Sequence, residues 1–403
     1  MARPLGHRLA SHTKTLMKKV FLRNQLHSSH IGGGLGGGGC LFGTFSAPEQ
    51  STLNCQNKVF YPLLFEPNFH PVIWGGHQLR PYKGLEPSDE PIGESWEVSA
   101  VPSSTSVVSN GIWKGKDLIS LINAYPEEIL GKAVNRKYHG QLPLLVKFID
   151  AERDLSIQVH PNDDMAQRLH GKMGKSEMWY IIKADEGAHL YAGFKQNITP
   201  YEYQKRVEDG SITEVLADHQ VKAGDVFYLP AGRVHAICGG ILLAEVQQSS
   251  DVTYRIFDYN RPGMDGKPRE LHTDLAAQAL NFNVEPNYRT EYTDTTNRAV
   301  QIIDTPYFDV RVMEVFRPFH RDLRKYDSFV ISMCIGGDCK IRIRSTGEEI
   351  LLHAGHTTLI PAVIADYDVL PLHATSLILD AFIDNHSTSL ANKLTRFFHA
   401  SQA

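Results

Sequence analysis

Cysteine is scarce in this chain, and long apolar runs are missing from it. The five cysteines are an odd number and contain no Cys-x2-Cys pair, which argues against a disulfide scaffold and against a thiolate zinc site. No apolar run reaches the roughly 18 residues that a membrane-spanning helix needs. Lysine and arginine total 41 and aspartate and glutamate 45, so the basic excess of a nucleic-acid-binding protein is also missing. We therefore expect a cytoplasmic protein that binds neither nucleic acid nor membrane.

The rest of the composition is that of a globular protein with an unusual N-terminal segment. Hydrophobic residues make up 42% and charged residues 21% of the 403 positions, and this length is enough for two or three domains. Residues 1–57 differ in composition from the rest of the chain. They contain several basic residues but no acidic residue before Glu49, and Gly32–Gly39 is almost all glycine. Such a segment cannot bury enough apolar surface to offset its ordering entropy, so we predict a disordered extension. The basic, acid-poor composition of this segment also fits an organellar transit peptide, but a tail without a folded role is the plainer interpretation.

The most informative motif in the remainder of the chain runs from Gly224 to His235 and has the pattern Gly-x5-Pro-x-Gly-x2-His. Its apolar start predicts a short buried strand, and Pro230 and Gly232 predict a sharp turn after it. The turn delivers His235 beside a second apolar run, where a histidine on a rigid strand is well placed to bind a metal ion. A partly buried structural histidine is the plainer interpretation of any single histidine.

The same frame recurs near the C-terminus, from Gly355 to Asp366. Gly-x5-Pro is repeated there, but Val363 stands in the place of Gly232 and Asp366 in the place of His235. Internal similarity of this kind indicates a second domain of the same type that has lost the metal ligand. We therefore expect a single site, in the first of the two domains.

Three more polar residues lie on predicted strands and are candidates to join His235. Gln158 and His160 are two positions apart, so both side chains point to one face of a strand. Glu177 lies within an apolar strand, where an unpaired buried carboxylate would be costly. Two imidazoles, one carboxylate and one carboxamide oxygen suit a borderline divalent ion with an open position for substrate or water. Taken alone, each residue also has a structural explanation, which is strongest for Gln158.

Three cations, Lys147, Lys175 and Arg255, lie in or at the end of apolar strands. A metal ion beside several fixed cations favours an anionic substrate, most simply a phosphorylated one. The interpretation as solvated surface charges is weaker for these three than for the chain's other basic residues.

Four motifs follow one another in a fixed order and spacing: Gln158-Val159-His160-Pro161, Lys175-Ser176-Glu177-Met178-Trp179-Tyr180, Pro230–His235 and Ser250-Asp251-x3-Arg255. Together they resemble type I mannose-6-phosphate isomerase in its shorter bacterial form. The segments Trp74–Gly76 and Gly93–Glu97 are similar to that family's opening segment. The Gly224–His235 motif by itself resembles the second motif of the cupin β-barrels.

This resemblance implies a mainly β fold of two cupin-type jelly-roll barrels with a few short helices. Residues 58–290 would form the catalytic, metal-binding cupin domain with short helical insertions, and residues 291–403 a second, degenerate cupin domain without metal ligands. The implied activity is the metal-dependent interconversion of mannose 6-phosphate and fructose 6-phosphate, an aldose–ketose isomerisation. The implied partner is a phosphorylated hexose, and the expected assembly is a monomer or a homodimer.

The resemblance also implies roles for single residues. One zinc ion per chain would be held by Gln158, His160, Glu177 and His235. Arg255 would be the catalytic arginine with Lys175 and Asp251 beside it. From their positions in apolar strands, and not from the resemblance, we expect Lys147, Lys175 and Arg255 to bind the substrate. The catalytic base stays open among Lys175, Glu245, Asp251 and metal-bound water. No asparagine follows His235 as in the general cupin pattern, and much of the helical insertion of longer isomerases is missing.

Two other functions are considered for these residues. Another metal cupin, such as an iron dioxygenase, would usually have a ligand set richer in histidine and would have no need of Lys175 and Arg255. A non-catalytic sugar-phosphate-binding module is disfavoured by the intact ligand set and the cations beside it.

Overall fold

Strands provide most of the regular structure in the computed structural model, which describes residues 60–386. The disordered extension predicted for residues 1–57 lies outside the described residues. The strands are β1 (Leu63–Leu64), β2 (Phe69–Gly76), β3 (Ile92–Val98), β4 (Leu144–Ala151), β5 (Ile157–Val159), β6 (Glu177–Ala184), β7 (His189–Phe194), β8 (Leu216–Gln220), β9 (Val226–Leu229), β10 (His235–Ile237), β11 (Ile241–Gln248), β12 (Tyr254–Phe257), β13 (Arg289–Thr290), β14 (Val300–Asp304), β15 (Asp309–Val315), β16 (Phe319–Asp322), β17 (Val330–Gly336), β18 (Cys339–Ile343), β19 (Glu349–Leu352), β20 (His356–Ile360), β21 (Asp366–Pro371) and β22 (Ser376–Phe382).

The helices are short. They are α1 (Leu79–Tyr82), α2 (Leu118–Ala124), α3 (Pro126–Leu130), α4 (Lys132–Tyr138), α5 (Asp163–His170), α6 (Pro200–Glu208) and α7 (Thr273–Ala279), with 3₁₀ turns at Gly111–Trp113, Ile212–Val215, Arg324–Tyr326 and Ala362–Ile364. Pro126 starts α3, as its fixed φ and missing N–H favour at a first helical position. Thr199 and Glu202 form a capping box at the start of α6. Among the described residues, no helix is long and apolar enough to cross a membrane.

The strands form four antiparallel sheets that pack in layers. A five-stranded sheet (β12-β5-β10-β7-β8) faces a seven-stranded sheet (β13-β9-β6-β11-β4-β2-β3), and Trp179, Leu190 and Ile237 belong to the apolar core between them. A six-stranded sheet (β1-β20-β17-β22-β15-β14) faces a four-stranded sheet (β16-β21-β18-β19) around a second core. A third core joins the seven-stranded to the six-stranded sheet, so the two sandwiches pack against each other.

Strand β4 shows how the sequence produces two buried faces. Leu144, Val146 and Phe148 belong to the core between the two sandwiches. Ile149 belongs to the core inside the first sandwich, and Lys147 points to that same side because successive strand residues alternate. Burial on both faces explains the nearly continuous apolar run. The lysine within this run is therefore directed into the first sandwich.

The C-terminal copy of the motif keeps the strand–turn–strand frame of the first copy. In the first copy β9 ends before Pro230 and β10 begins at His235, and in the second copy β20 ends before Pro361 and β21 begins at Asp366. Asp366 Oδ1 lies 2.8 Å from Nε2 of His320 in the neighbouring strand β16. The residue in the place of His235 is thus used in a local ion pair.

The predicted mainly β architecture of two cupin-type barrels with a few short helices is confirmed. The boundaries between residues 58–290 and 291–403 remain a prediction. Strand β1 belongs to the first predicted domain but pairs with strand β20 of the second, where Leu63 lies opposite Leu359 in the six-stranded sheet.

Candidate metal centre and active-site cavity

The four predicted metal ligands meet inside the first sandwich because they come from its two facing sheets. Gln158 lies in β5 and His235 opens β10, and these two residues are paired directly in the five-stranded sheet. His160 follows the end of β5, and Glu177 opens β6 in the seven-stranded sheet. The side chains of His160, Glu177 and His235 are buried, and their donor atoms all lie within 4.8 Å of one another.

Both histidines direct an unprotonated ring nitrogen into this cluster. Nδ1 of His160 lies 2.9 Å from the carbonyl oxygen of Val252. Nδ1 of His235 lies 2.8 Å from the carbonyl oxygen of Arg233. A carbonyl only accepts, so each Nδ1 carries the proton and each Nε2 presents a lone pair. Burial, followed by the nearby Lys175 ammonium, lowers the pKa of His160 to about 3, and burial also lowers the pKa of His235.

Glu177 supplies the negative charge of the cluster and is 0% exposed. Its Oε2 lies 3.3 Å from His160 Nε2 and 3.0 Å from Lys175 Nζ, and its Oε1 lies 3.3 Å from His235 Nε2. Neither oxygen accepts a hydrogen bond from a described residue. Burial raises the pKa of Glu177, but the Lys175 ammonium opposes burial, and the pKa is held well below its usual range. The carboxylate is therefore ionised although it is fully buried, with Lys175 as its cationic partner, and a bound metal ion would stabilise it further.

These donor atoms fit a divalent metal ion. The two Nε2 lone pairs face each other across 3.2 Å, an arrangement that is repulsive unless a cation lies between them. Two ligands of one tetrahedral zinc ion lie about 3.3 Å apart, because Zn–N and Zn–O bonds are about 2.0–2.1 Å long. The separations here among His160, Glu177 and His235 are 3.2–3.3 Å. The cluster therefore has both the donor types and the spacing of a metal site.

Gln158 lies beside this cluster through its side-chain amide. Its Nε2 is 3.3 Å from His235 Nε2, and its Oε1 is 3.4 Å from the Ser156 hydroxyl, which donates to it. A half-turn of the terminal torsion exchanges the amide oxygen and nitrogen, so the same side chain could turn Oε1 toward the cluster. The structure thus brings together all four residues predicted as ligands.

A cavity of about 210 Å³ adjoins the cluster inside the first sandwich. Its wall contains every predicted site residue outside the three buried donors, namely Lys147, Gln158, Lys175, Glu245, Asp251 and Arg255. Gln158 and Lys175 connect the cavity to the buried donors, since Gln158 lies against His235 and Lys175 Nζ lies 3.0 Å from His160 Nε2. The residues singled out from the sequence therefore belong to one continuous site.

Lys147 is held between two carboxylates on the cavity wall. Its Nζ lies 3.2 Å from Glu94 Oε2 and 3.3 Å from Glu245 Oε1. Glu94 also accepts the indole N–H of Trp96 at 2.6 Å, and Glu245 accepts that of Trp179 at 2.9 Å. Burial raises the pKa of Glu245, whereas at Glu94 burial is outweighed by Lys147, which lowers the pKa. The two carboxylates therefore differ in proton affinity although they share one cation.

Arg255 lies on the five-stranded sheet beside Gln158, a predicted ligand, with which it is paired between β12 and β5. Its Nε donates to the hydroxyl of Ser156 at 3.3 Å, and its Nη1 donates to the backbone carbonyl of Glu270 at 2.9 Å. Both acceptors are neutral. The guanidinium is thus fixed in place without a carboxylate partner among the described residues.

Asp251 contributes to the cavity wall from its outer rim. Its side chain is 38% exposed, and its Oδ1 lies 2.5 Å from Nζ of Lys172, a residue that is itself 48% exposed. Asp251 is therefore more hydrated than Glu245 and is neutralised by a cation outside the predicted set.

Several wall residues are absent from the sequence-based prediction. They are Trp74, Glu94, Trp96, Ser156, Trp179 and Arg269. Four of these lie in segments that resemble the family motifs, so a local signal for them exists in Trp74–Gly76, Gly93–Glu97 and Lys175–Tyr180. Ser156 and Arg269 carry no such signal. Strand pairing and a loop bring them to the cavity.

The sequence is similar to those of known isomerases. The family model described as phosphomannose isomerase type I, catalytic domain, matches residues 63–186. The probable mannose-6-phosphate isomerase GmuF of Bacillus subtilis (strain 168) is 34% identical over 313 residues, which cover 77% of this chain and 96% of that protein. The chain belongs to the type I phosphomannose isomerase family.

Other proteins of this phosphomannose isomerase family show the same likeness. The mannose-6-phosphate isomerase of Streptococcus mutans is 37% identical over 250 residues, covering 62% of this chain and 77% of that protein. A crystal structure of the mannose 6-phosphate isomerase from Bacillus subtilis superposes with a TM-score of 0.71 at 31% identity and covers 79% of this chain and 99% of that chain. The family resemblance drawn from the motifs is confirmed. The family is metal-dependent, and His160, Glu177 and His235 form a group that could hold the ion.

Proposed function

We propose that this protein is a metal-dependent aldose–ketose isomerase that interconverts mannose 6-phosphate and fructose 6-phosphate. One observation carries the proposal: in a member of the phosphomannose isomerase family, a buried His/Glu/His group adjoins a cavity lined by a buried carboxylate and fixed cations. Neither the dioxygenase nor the non-catalytic alternative is favoured by the similarity to known isomerases.

The cofactor proposed is one zinc ion per chain, held by Gln158, His160, Glu177 and His235. The donor types and their spacing support zinc, and each histidine is oriented by a backbone carbonyl, as is usual for metal-ligating imidazoles. When bound, the ion would supply a Lewis acid that polarises the oxygens on C1 and C2 of the sugar.

Glu245 is the residue that we propose to carry the proton. The reaction moves one proton from C2 to C1 of the open-chain sugar and another from the oxygen on C2 to the oxygen on C1. A catalytic base works best when its pKa lies near the operating pH, and burial raises the pKa of Glu245 in that direction. Asp251 is less suited, because it is 38% exposed and paired with Lys172. Lys147 and the Trp179 indole orient the Glu245 carboxylate.

The cations would bind the substrate and stabilise the negative charge that develops during the reaction. Arg255 is proposed to stabilise developing charge on the sugar oxygens, because it lies beside Gln158 and has no carboxylate to neutralise it among the described residues. Lys175 contacts two of the proposed ligands and would orient the sugar beside them. Lys147 would contribute through Glu245, to which it is paired.

The test is a coupled assay that follows fructose 6-phosphate formed from mannose 6-phosphate by the purified full chain. Mannose without phosphate serves as the control substrate, and we expect turnover only of the phosphorylated sugar. Binding of mannose 6-phosphate without any product would support the non-catalytic module instead. Oxygen uptake by the iron-loaded protein would support a dioxygenase.

A cytoplasmic location and a monomeric or homodimeric assembly are proposed for the same protein. The odd number of cysteines in the sequence supports a reducing compartment. Cys238, Cys334 and Cys339 are buried and form no disulfide among the described residues. Cys40 and Cys55 lie outside the described residues. Size-exclusion chromatography with light scattering would distinguish the two assemblies.

A further inference from the structure

The cavity has three cations of the predicted set, and Arg255 is the only one of them without a carboxylate partner among the residues that the structure describes. Lys147 lies within 3.3 Å of two glutamates, and Lys175 lies 3.0 Å from Glu177. Arg255 forms no ion pair with a described carboxylate, and both acceptors of its hydrogen bonds are neutral. An anionic group of the substrate would therefore be attracted most strongly to the Arg255 end of the cavity.

A second guanidinium, that of Arg269, reaches the same end of the cavity. Asp258 fixes it with two hydrogen bonds, accepting from Nε at 2.7 Å and from Nη2 at 2.6 Å. Nη1 makes no hydrogen bond with any residue that the structure describes, and the side chain remains 24% exposed. Arg269 is thus held rigidly by one edge of its guanidinium while the opposite side stays available to a ligand.

The loop between β12 and α7 holds Arg269 in a fixed position relative to Arg255. The base of this loop is tied to Arg255, because the His272 N–H donates to the Arg255 carbonyl at 2.7 Å. The loop tip closes as a narrow hairpin with a bridge between Pro262 and Pro268. Asp258 then anchors Arg269 from the start of the same loop. This arrangement fixes the position of Arg269 relative to Arg255 before any ligand arrives.

The charged residues at the base of the loop between β12 and α7 have a net positive charge. Three guanidiniums, those of Arg255, Arg261 and Arg269, surround the single buried carboxylate Asp258, which pairs with Arg261 and Arg269. The other acids of this loop, Asp265 and Glu270, are both exposed, and the side chain of Glu270 is 83% exposed. The buried part of the loop base thus carries an excess of positive charge, which suits the dianion of a phosphate monoester.

We infer that Arg269 is a phosphate-binding residue that determines specificity for phosphorylated substrates, with Arg255 beside it and Asp258 as its positioning residue. This inference rests on the proposed function and adds to it the end of the cavity where the phosphate lies. The sugar carbons then extend from Arg255 past Ser156 toward Gln158, since the Ser156 hydroxyl bonds both side chains.

The test compares Arg269→Gln with the unmodified protein, using steady-state kinetics on mannose 6-phosphate and competition by inorganic phosphate. Loss of a charge-assisted contact to phosphate should raise KM by about 10- to 100-fold and weaken phosphate inhibition by a similar factor. The kcat should change little, because a contact made equally in ground and transition state affects KM alone. Arg269→Lys should recover part of the loss, since it keeps the charge without the planar fork.

Lys267→Gln is the matched control, because it removes one positive charge from an exposed position of the same loop. A rise in KM equal to that of Arg269→Gln would assign the effect to general attraction and would overturn the inference. An unchanged KM and unchanged phosphate inhibition in Arg269→Gln would overturn it as well. If the unmodified protein does not turn over mannose 6-phosphate, the proposed function fails. Calorimetric titration with inorganic phosphate then tests phosphate binding by Arg269 independently of turnover. Equal phosphate affinity of the unmodified and Arg269→Gln proteins would refute this role of Arg269.

Discussion

Replacing Glu245 by glutamine separates proton transfer from charge pairing. The amide keeps the size of the side chain and can still accept the indole N–H of Trp179, which now donates at 2.9 Å. It can no longer take up a proton at neutral pH. Removal of a general base lowers turnover by about 10²- to 10⁴-fold, so we expect a fall of that size in kcat for mannose 6-phosphate. Zinc content should be unchanged, because Glu245 is not among the proposed ligands.

The cost of this change to folding should be moderate. Lys147 loses one of two carboxylates but keeps Glu94 at 3.2 Å, so its charge is not left buried without a partner. The loss of one charge-assisted contact corresponds to about 1–3 kcal/mol in the free energy of unfolding. This can be measured by urea denaturation of the metal-loaded protein.

Glu94→Gln provides the matched comparison, because it removes the other carboxylate from the same lysine. If Glu245 only holds Lys147 in place, the two variants should lose similar amounts of kcat. If Glu245 carries the proton, Glu245→Gln should lose at least about tenfold more than Glu94→Gln within the range expected for a general base. A kcat of Glu245→Gln within threefold of the unmodified enzyme would refute the proposed role.

Three further substitutions test other parts of the structure. His235→Ala removes a proposed ligand whose Nδ1 is fixed by a backbone carbonyl, so elemental analysis should find the zinc lost; full occupancy would contradict the ligand assignment. Arg255→Ala should retain zinc but lose most of the turnover, and normal turnover would exclude its catalytic role. Asp380→Ala should lower the free energy of unfolding by about 3–5 kcal/mol without changing zinc content or KM, because the buried carboxylate accepts from Arg321, Ser332 and Tyr367. A urea-denaturation midpoint equal to that of the unmodified protein would show that this network contributes little.

The strand pattern and the ligand positions could be predicted because both depend on local sequence. Alternating or continuous apolar runs mark the strands, and residues two apart on a strand share a face, as Gln158 and His160 do. The Pro230 and Gly232 turn then predicts a strand opening at His235, and β10 begins there. The order in which strands combine into sheets does not follow from such local patterns. The pairing of β1 with β20 joins residues from opposite ends of the chain, and no periodicity specifies it.

The site could be predicted only in part from the sequence, because local patterns do not specify which strands pair. The sequence shows that Lys147 interrupts an apolar strand, but its two carboxylate partners come from β3 and β11, which lie on either side of β4. Their identity depends on register: Trp96 and Glu245 each lie opposite Lys147, and Glu94 lies two residues from Trp96 on the same face. Arg269 depends on a loop whose path is set by the Asp258 carboxylate. Long-range strand pairing and the anchoring of this loop therefore determine the contacts of the site that the motifs did not predict.

Titration of zinc into chelator-treated protein, with turnover of mannose 6-phosphate measured at each addition, tests the metal-dependent isomerase most directly. We expect no turnover in the metal-free protein, followed by a linear rise in activity that ends at one zinc ion per chain. Turnover that persists in protein shown by elemental analysis to be free of metal, or saturation at a different ratio, would contradict a single catalytic ion held by Gln158, His160, Glu177 and His235.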